Sequence, residues 1–316
     1  MDVIDGFFNG PRARGAFALR AVMSPPWSVR VEDRAPLSVV AMISGDAAVS
    51  CHDTEPVSLA AGQVALLRGP EPYEFADQVG RRPDVIVLPG QQCVSPAGES
   101  MSAAMDLGGR DWGNDAHGGT VMLIGSYHTD GEVSRRLVDA LAPLTVLTAD
   151  DGIGAVLALL DVEMGRARPG QPVALDRLLD LLVIHAVRAW LDRPDTERPR
   201  WLGQADDREV GIALAALHDD PARPWRLAEL AAVVGLSRAA LARRFHDVVG
   251  ESPMAHLAAW RLGWAADLLL DPTATVTRVA AEVGYSNPFT FSTAFKRAYG
   301  HSPRDHRRIT AERLGA

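Results

Sequence analysis

One pattern occurs twice in the last hundred residues, and it restricts the fold of this chain more than any other feature. Residues 227–245 and 276–295 align so that Ala231, Gly235 and Ser237 match Ala280, Gly284 and Ser286 at a spacing of 49. After one inserted residue, Leu241, Phe245, Gly250, Ser252 and Pro253 match Phe291, Phe295, Gly300, Ser302 and Pro303 at a spacing of 50. Each copy has the makings of two short helices joined by a sharp turn. Ala231 or Ala280 is small enough for a second helix to cross closely. Gly235 or Gly284 supplies the positive φ that a tight turn after a helix requires. Ser237 or Ser286 stands where a hydroxyl can cap the next helix. That helix buries Leu241 with Phe245, or Phe291 with Phe295, and leaves its opposite face free. A single copy would be a common helix pair; two copies with the same Gly-x-Ser-Pro ending specify tandem helix-turn-helix units.

Between the copies, residues 253–270 form one continuous apolar-periodic segment that stops at Asp271-Pro272. About 17 residues at ~1.5 Å each give a rod of roughly 25 Å. Such a rod can set two reading helices near one turn of duplex DNA apart, roughly 34 Å.

Charge agrees with this division. The chain of 316 residues carries a net charge of −8, yet residues 221–316 hold 13 Lys and Arg against 8 Asp and Glu, an excess of +5. The rest is therefore at −13, as expected for an acidic half attached to a nucleic-acid-binding half.

The first ~125 residues have a different texture, rich in Gly and Pro and broken into short β-branched or alternating runs. Residues 27–31, 37–43, 47–51, 63–67 and 84–88 are the clearest, separated by turns such as Ser44-Gly45-Asp46 and Arg68-Gly69-Pro70. Many short strands at this spacing predict a β-barrel or sandwich, while residues 101–119 read as loop with one short helix. From Gly131 the period becomes helical, over 133–141, 153–166 and 174–191. In the last segment Leu175, Leu178, Leu179, Leu182, Val183, Ala186 and Trp190 form one apolar face, wide enough to suggest contact with a second copy of the chain. A polar, proline-broken stretch at 192–200 follows.

With these residues in view, a family resemblance can be stated. Residues ~205–316 resemble the DNA-binding domain of the AraC/XylS regulators, through Arg261-Leu262, Val279-Ala280, Gly284-Tyr285, Phe291, Phe295-Lys296 and Gly300-x-Ser302-Pro303. More weakly, residues 26–31, 59–67, 125–131 and 175–182 are similar to the cupin-like sensor of one branch of that family. The implied fold is α+β in two domains: a cupin-like barrel with flanking helices at 1–195, a linker at 196–205, and an all-α double helix-turn-helix domain at 206–316. The implied activity is regulation of transcription by a homodimer that binds double-stranded DNA and answers to a small-molecule effector.

By position, Ala239, Ala242 and Arg243 correspond to the family's base-reading sites, and two alanines depart from its longer polar choices. Arg243 is the expected base reader, bidentate to a guanine; Ser237, Arg238 and Arg244 flank it, and Arg244 has phosphate or an acidic neighbour as alternatives. The second unit offers Ser286, Asn287, Phe289, Thr290, Ser292, Thr293, Lys296 and Arg297, with no groove-facing arginine. Weaker base readout and more phosphate contact follow. Arg304, Arg307 and Arg308 form a basic tail.

For the N-terminal half, Trp27, Tyr73 and Trp112 are candidate ligand-lining aromatics. Cys51 and Cys93, the whole thiol inventory, form an alternative redox pair if their Cα atoms lie close enough. No metal, cofactor or catalytic residue is expected. His52, His117, His128, His185 and His218, the histidines ahead of the repeat, are too scattered for a cupin metalloenzyme, the remaining alternative. No signal peptide or membrane span is legible, so a cytoplasmic protein is expected.

Overall fold

The computed structural model describes residues 17–52, 54–127, 137–148, 151–165, 168–193, 207–271 and 273–313. They divide into two compact units.

The first unit is built on two sheets. One has the strand order β10 (Asp106–Gly108), β11 (Asp111–Gly113), β1 (Phe17–Met23), β12 (Thr120–Tyr127), β3 (Leu37–Ser44), β6 (Gln63–Arg68), β13 (Leu144–Thr148). The other runs β5 (Val57–Ala60), β4 (Asp46–Cys51), β7 (Tyr73–Ala76), β2 (Ser28–Val31), β8 (Val85–Leu88), β9 (Gln92–Val94). Their inner faces share a core containing Met23, Trp27, Met42, Leu59, Tyr73 and Phe75. In the segment that reads as loop with one short helix, a short helix α1 (Ser102–Met105) is present, and the strands β10 and β11 take part of what reads as loop.

Two long helices follow, α2 (Asp151–Met164) and α3 (Gln171–Leu191), flanking β13 on its C-terminal side. They explain why β3 and β12 are nearly continuous apolar runs instead of alternating ones. Strands covered on both faces lose the polar alternation. At Gly125 of β12 an added Cβ would lie 2.9 Å from the Leu179 side chain of α3, so that helix packs directly on the sheet. Leu175, Leu179, Leu182, Val183, Ala186 and Trp190 are all buried, and Leu178 half-buried. Most of the apolar face assigned above to a second copy is thus covered within its own unit. Leu159, Val162, Val173 and Leu181 are the large apolar residues that α2 and α3 leave exposed.

The second unit is helical: α4 (Arg208–Asp219), α5 (Leu227–Val233), α6 (Arg238–Val249), α7 (Pro253–Leu268), α8 (Val276–Glu282), α9 (Pro288–Tyr299) and α10 (Pro303–Arg313). It has two small cores, one per repeat. Leu230, Ala231, Leu241 and Phe245 centre the first, and Val279, Ala280, Phe291 and Phe295 the second. The linking rod α7 serves both, giving Leu257 to the first core and Leu262, Ala265 and Ala266 to the second.

His218, grouped in the sequence with the N-terminal histidines, belongs to this helical unit on α4. Its Nε2 lies 2.9 Å from Nε2 of His256, whose Nδ1 is 2.9 Å from Glu251 Oε1. Its ring stacks on Trp260 at 4.1 Å. Burial, with His256 adding, pushes the His218 pKa down to about 3 from 6.5. The folded unit therefore refuses a proton that the unfolded chain accepts below about 6.5, so stability is full above that pH and is lost as pH falls toward 3. The slope approaches about 1.4 kcal/mol per pH unit, or roughly 2 kcal/mol between pH 7 and 5. Urea unfolding at the two pH values should show that loss in the parent and a smaller one in His218→Gln; equal losses would remove His218 as the cause.

Candidate nucleic-acid interface and barrel cavity

The helix α6 is positioned by its cap and by its buried side. Ser237 Oγ accepts from the Ala240 amide at 3.2 Å, and Leu241, Phe245 and Val249 anchor one face in the core. The opposite face presents Arg238, Ala239, Arg243 and His246 to solvent, with Ala240 and Ala242 half-buried. Arg243 has no ion-pair partner among the described residues, so its guanidinium fork is available to a ligand.

Arg244 is different. Its Nε donates to Asp207 Oδ2 at 2.7 Å and its Nη2 to Glu209 Oε2 at 2.9 Å. Of the two alternatives for this residue, the acidic neighbour is the one the geometry shows. Asp207 also accepts from the Val210 amide at 3.1 Å, capping α4. Burial alone would raise the Asp207 pKa; Arg244 and the Val210 amide outweigh it and hold the carboxyl below its usual range. Arg244 thus ties the reading helix to α4.

In α9 the cap is Asn287, not Ser286. Asn287 Oδ1 accepts from the Phe289 amide at 2.8 Å, and Pro288 occupies the first helical position. The one-residue insertion between the copies moves the capping role one place along and leaves Ser286 exposed ahead of the helix. Phe291 and Phe295 are buried, while Phe289 is 83% exposed. Thr290, Thr293, Lys296 and Arg297 share the solvent side, with Ser292 half-buried. Two of the hydroxyls are already committed: Ser292 donates to the Pro288 carbonyl at 2.8 Å and Thr293 to that of Phe289 at 3.0 Å. In this arrangement they offer only acceptors, which match base amino groups but not phosphate oxygens. Lys296 and Arg297 remain as the phosphate donors on this helix. In the tail, Arg304 is exposed, Arg308 lies 3.9 Å from Asp305, and the side chain of Arg307 is outside the described residues.

A residue that sequence reasoning left without a role packs the two helix-turn-helix repeats against each other. Arg261 of α7 donates through Nε to the Pro221 carbonyl at 2.6 Å and through Nη2 to the Arg223 carbonyl at 2.7 Å. The loop so held carries Ala222 against Gly284, in the turn of the second unit. The available signal was an arginine inside an otherwise apolar helix face.

In the first unit a cavity of about 170 Å³ lies between the sheets. Tyr73 and Trp112 line it, with Asp33, Cys93 and Ser126. Trp27 does not; it is 1% exposed and belongs to the core. The cysteines are far apart. Across one sheet Cys51 pairs with Tyr73, Tyr73 with Val31, Val31 with Val87 and Val87 with Cys93. Four strand spacings of about 4.8 Å put roughly 19 Å of sheet between two Cα atoms that a disulfide needs within about 7 Å. Burial also pushes the Cys51 thiol up to about 11 and raises that of Cys93, disfavouring the reactive thiolate. The Cys51–Cys93 bridge within one chain is excluded. Among the described residues no three His, Cys, Asp or Glu side chains are grouped to hold a metal, and His128 lies outside them. No described helix is long and apolar enough to cross a membrane.

A two-sheet sensor barrel joined to paired helix-turn-helix units with exposed reading faces defines a DNA-binding transcription regulator. A family described as Cupin matches residues 2–192, and one described as Helix-turn-helix domain matches residues 230–309. A putative AraC-like transcription regulator of Streptomyces lividans is 28% identical over 314 residues, covering 98% of each chain. The HTH-type transcriptional regulator AlkR of Acinetobacter baylyi is 29% identical over 245 residues, covering 71% of this chain and 79% of its own. Among solved structures, the C-terminal domain of AraT, a response regulator from Geobacillus stearothermophilus, is 31% identical, with a TM-score of 0.32. It covers 33% of this chain and 86% of that one. The chain belongs to the AraC-type helix-turn-helix regulators that carry an N-terminal cupin domain. Its relatives are transcription regulators, not enzymes.

Proposed function

We propose that this regulator binds its operator sequence-specifically, chiefly through α6, and that a small molecule held in the cupin barrel controls that binding. The observation that carries the first part is the exposed Arg243, without an ion-pair partner among the described residues, on the face of α6 opposite its buried anchors. Ser237, Arg238, Ala239 and Ala242 surround it as helix-end and groove contacts. From the second unit, Asn287, Phe289, Thr290, Lys296 and Arg297 complete the interface, with phosphate contact dominant. The cavity between the sheets supports the second part, with Tyr73 and Trp112 as lining residues. The division proposed is a sensor at 1–195, a linker at 196–205 and a DNA-binding domain at 206–316. The proposed working form is a homodimer that uses the apolar residues α2 and α3 leave exposed.

A fragment spanning 204–316 tests the reading. It contains both cores and both reading helices, so it should fold alone as a helical domain and bind duplex DNA. Its affinity should fall steeply with added salt, because phosphate contacts release counterions. A folded fragment without salt-dependent binding would overturn the assignment.

A further inference from the structure

The turn between β2 and β3 places a carboxylate at the barrel cavity. Asp33 Oδ1 accepts from the Ala35 amide at 3.0 Å, and Oδ2 from Ser126 Oγ at 3.1 Å. No basic side chain pairs with Asp33 among the described residues. Each carboxylate oxygen has two lone pairs, so acceptor capacity remains.

Of the other polar groups around the cavity, the Ser126 hydroxyl is already committed to Asp33. Ser38 Oγ lies 3.4 Å from Ser126 Oγ. With Ser126 donating to Asp33, the consistent direction has Ser38 donating to Ser126. Cys93 Sγ lies 3.8 Å from the Gln91 carbonyl oxygen, to which its thiol donates. The Asp33 carboxylate is the charged group of the lining, and the wall formed by Leu19, Val31, Val87 and Ile124 is apolar. A guest that is positively charged and donates hydrogen bonds finds its complement in Asp33.

Size narrows the guest further. A cavity of about 170 Å³ is close to the ~150 Å³ apolar cavity that takes up benzene in another protein. The backbone marks the same place independently. Arg34, next to Asp33, and Gln91, in the lining, are the non-glycine residues with positive φ among those described, at 60° and 63°. Left-handed non-glycine residues gather where structure is held for function.

We propose that the cavity binds a one-ring organic amine, with its ammonium group paired to Asp33 and its ring against Trp112 and the apolar wall. This rests on the small-molecule reading of the barrel and adds the chemistry of the ligand. An ammonium at a half-buried carboxylate gains a charge-assisted hydrogen bond and the attraction of an ion pair, an alcohol gains the hydrogen bond alone, and a carboxylate gains neither.

Calorimetric titration of the full-length protein with benzylamine, benzyl alcohol, toluene and benzoate tests this without any variant. Benzylamine should bind at least tenfold more tightly than benzyl alcohol or toluene, and benzoate should not bind. The variant Asp33→Asn should weaken benzylamine at least tenfold and leave toluene within about twofold. Toluene or benzyl alcohol binding as tightly as benzylamine overturns the amine class while the cavity stands as a ligand site. Benzylamine binding unchanged by Asp33→Asn overturns the pairing. No binding by any probe at millimolar concentration overturns the cavity reading itself, and the proposal with it.

Discussion

Gly284→Ala is expected to destabilise the DNA-binding unit by more than ~3 kcal/mol, whereas Gly235→Ala at the equivalent position of the first repeat should cost about 1 kcal/mol. Both glycines have positive φ, 84° and 72°, so each substitution meets the same backbone penalty. What differs is the surroundings. At Gly235 an added Cβ would meet nothing within 4 Å, while at Gly284 it would lie 2.4 Å from the Ala222 carbonyl oxygen and 2.8 Å from its Cα. The obstruction is backbone, and that backbone cannot retreat cheaply, because Arg261 holds the carbonyls on either side of Ala222. DNA affinity should also fall for Gly284→Ala at temperatures where the unit is still folded, since displacing the loop disturbs the packing of the second repeat against the first. Urea unfolding of the 204–316 fragment for both variants provides the comparison. Equal costs at the two glycines would show that the Ala222 contact contributes nothing.

The sequence made the helical half legible because its signals are local. Ala, Gly and Ser at the helix crossing, turn and cap, and the Leu and Phe anchors one turn apart, act within about twenty residues of one another. The same locality explains the error at Ser286. A one-residue insertion moved the cap to Asn287, and alignment by similarity to Ser237 outweighed the capping capacity of the next residue. A further repeat element passed unnoticed: His256 and His306 match at the same spacing of 50. Each packs edge-on against its repeat's phenylalanine, at 5.7 Å from Phe245 and 5.3 Å from Phe295.

The barrel was less legible because its contacts are remote in sequence. Asp33 and Ser126 are 93 residues apart, and no local pattern brings them together. Trp27 reads as a ligand-lining aromatic from its chemistry alone; only the packing of two sheets decides that it is core. The strand β13 alternates well enough, but it stands between two helical stretches and takes its meaning from pairing with β6, some 80 residues earlier. Arg244 has the same composition cue as Arg243, and only the fold brings Asp207 and Glu209 to it.

The division of labour between the reading helices follows from these placements. Arg243→Ala removes the mid-helix arginine from the free face of α6, the long donor proposed to make a bidentate base contact. It should cost roughly 1–3 kcal/mol at the cognate site and less on scrambled DNA, because the phosphate contacts remain. Lys296→Ala should weaken both DNAs about equally and reduce the salt slope by about one unit, as loss of a single phosphate partner requires. Arg244 provides the internal contrast. Its fork to Asp207 and Glu209 stays within the domain, so Arg244→Ala should lower the unfolding midpoint of the fragment while changing the preference for cognate over scrambled DNA less than Arg243→Ala does. Binding of the three variants to both DNAs across a salt series separates these roles. If Arg243→Ala weakened the two DNAs equally while Lys296→Ala lost only the cognate site, α9 and not α6 would be the principal reader of sequence.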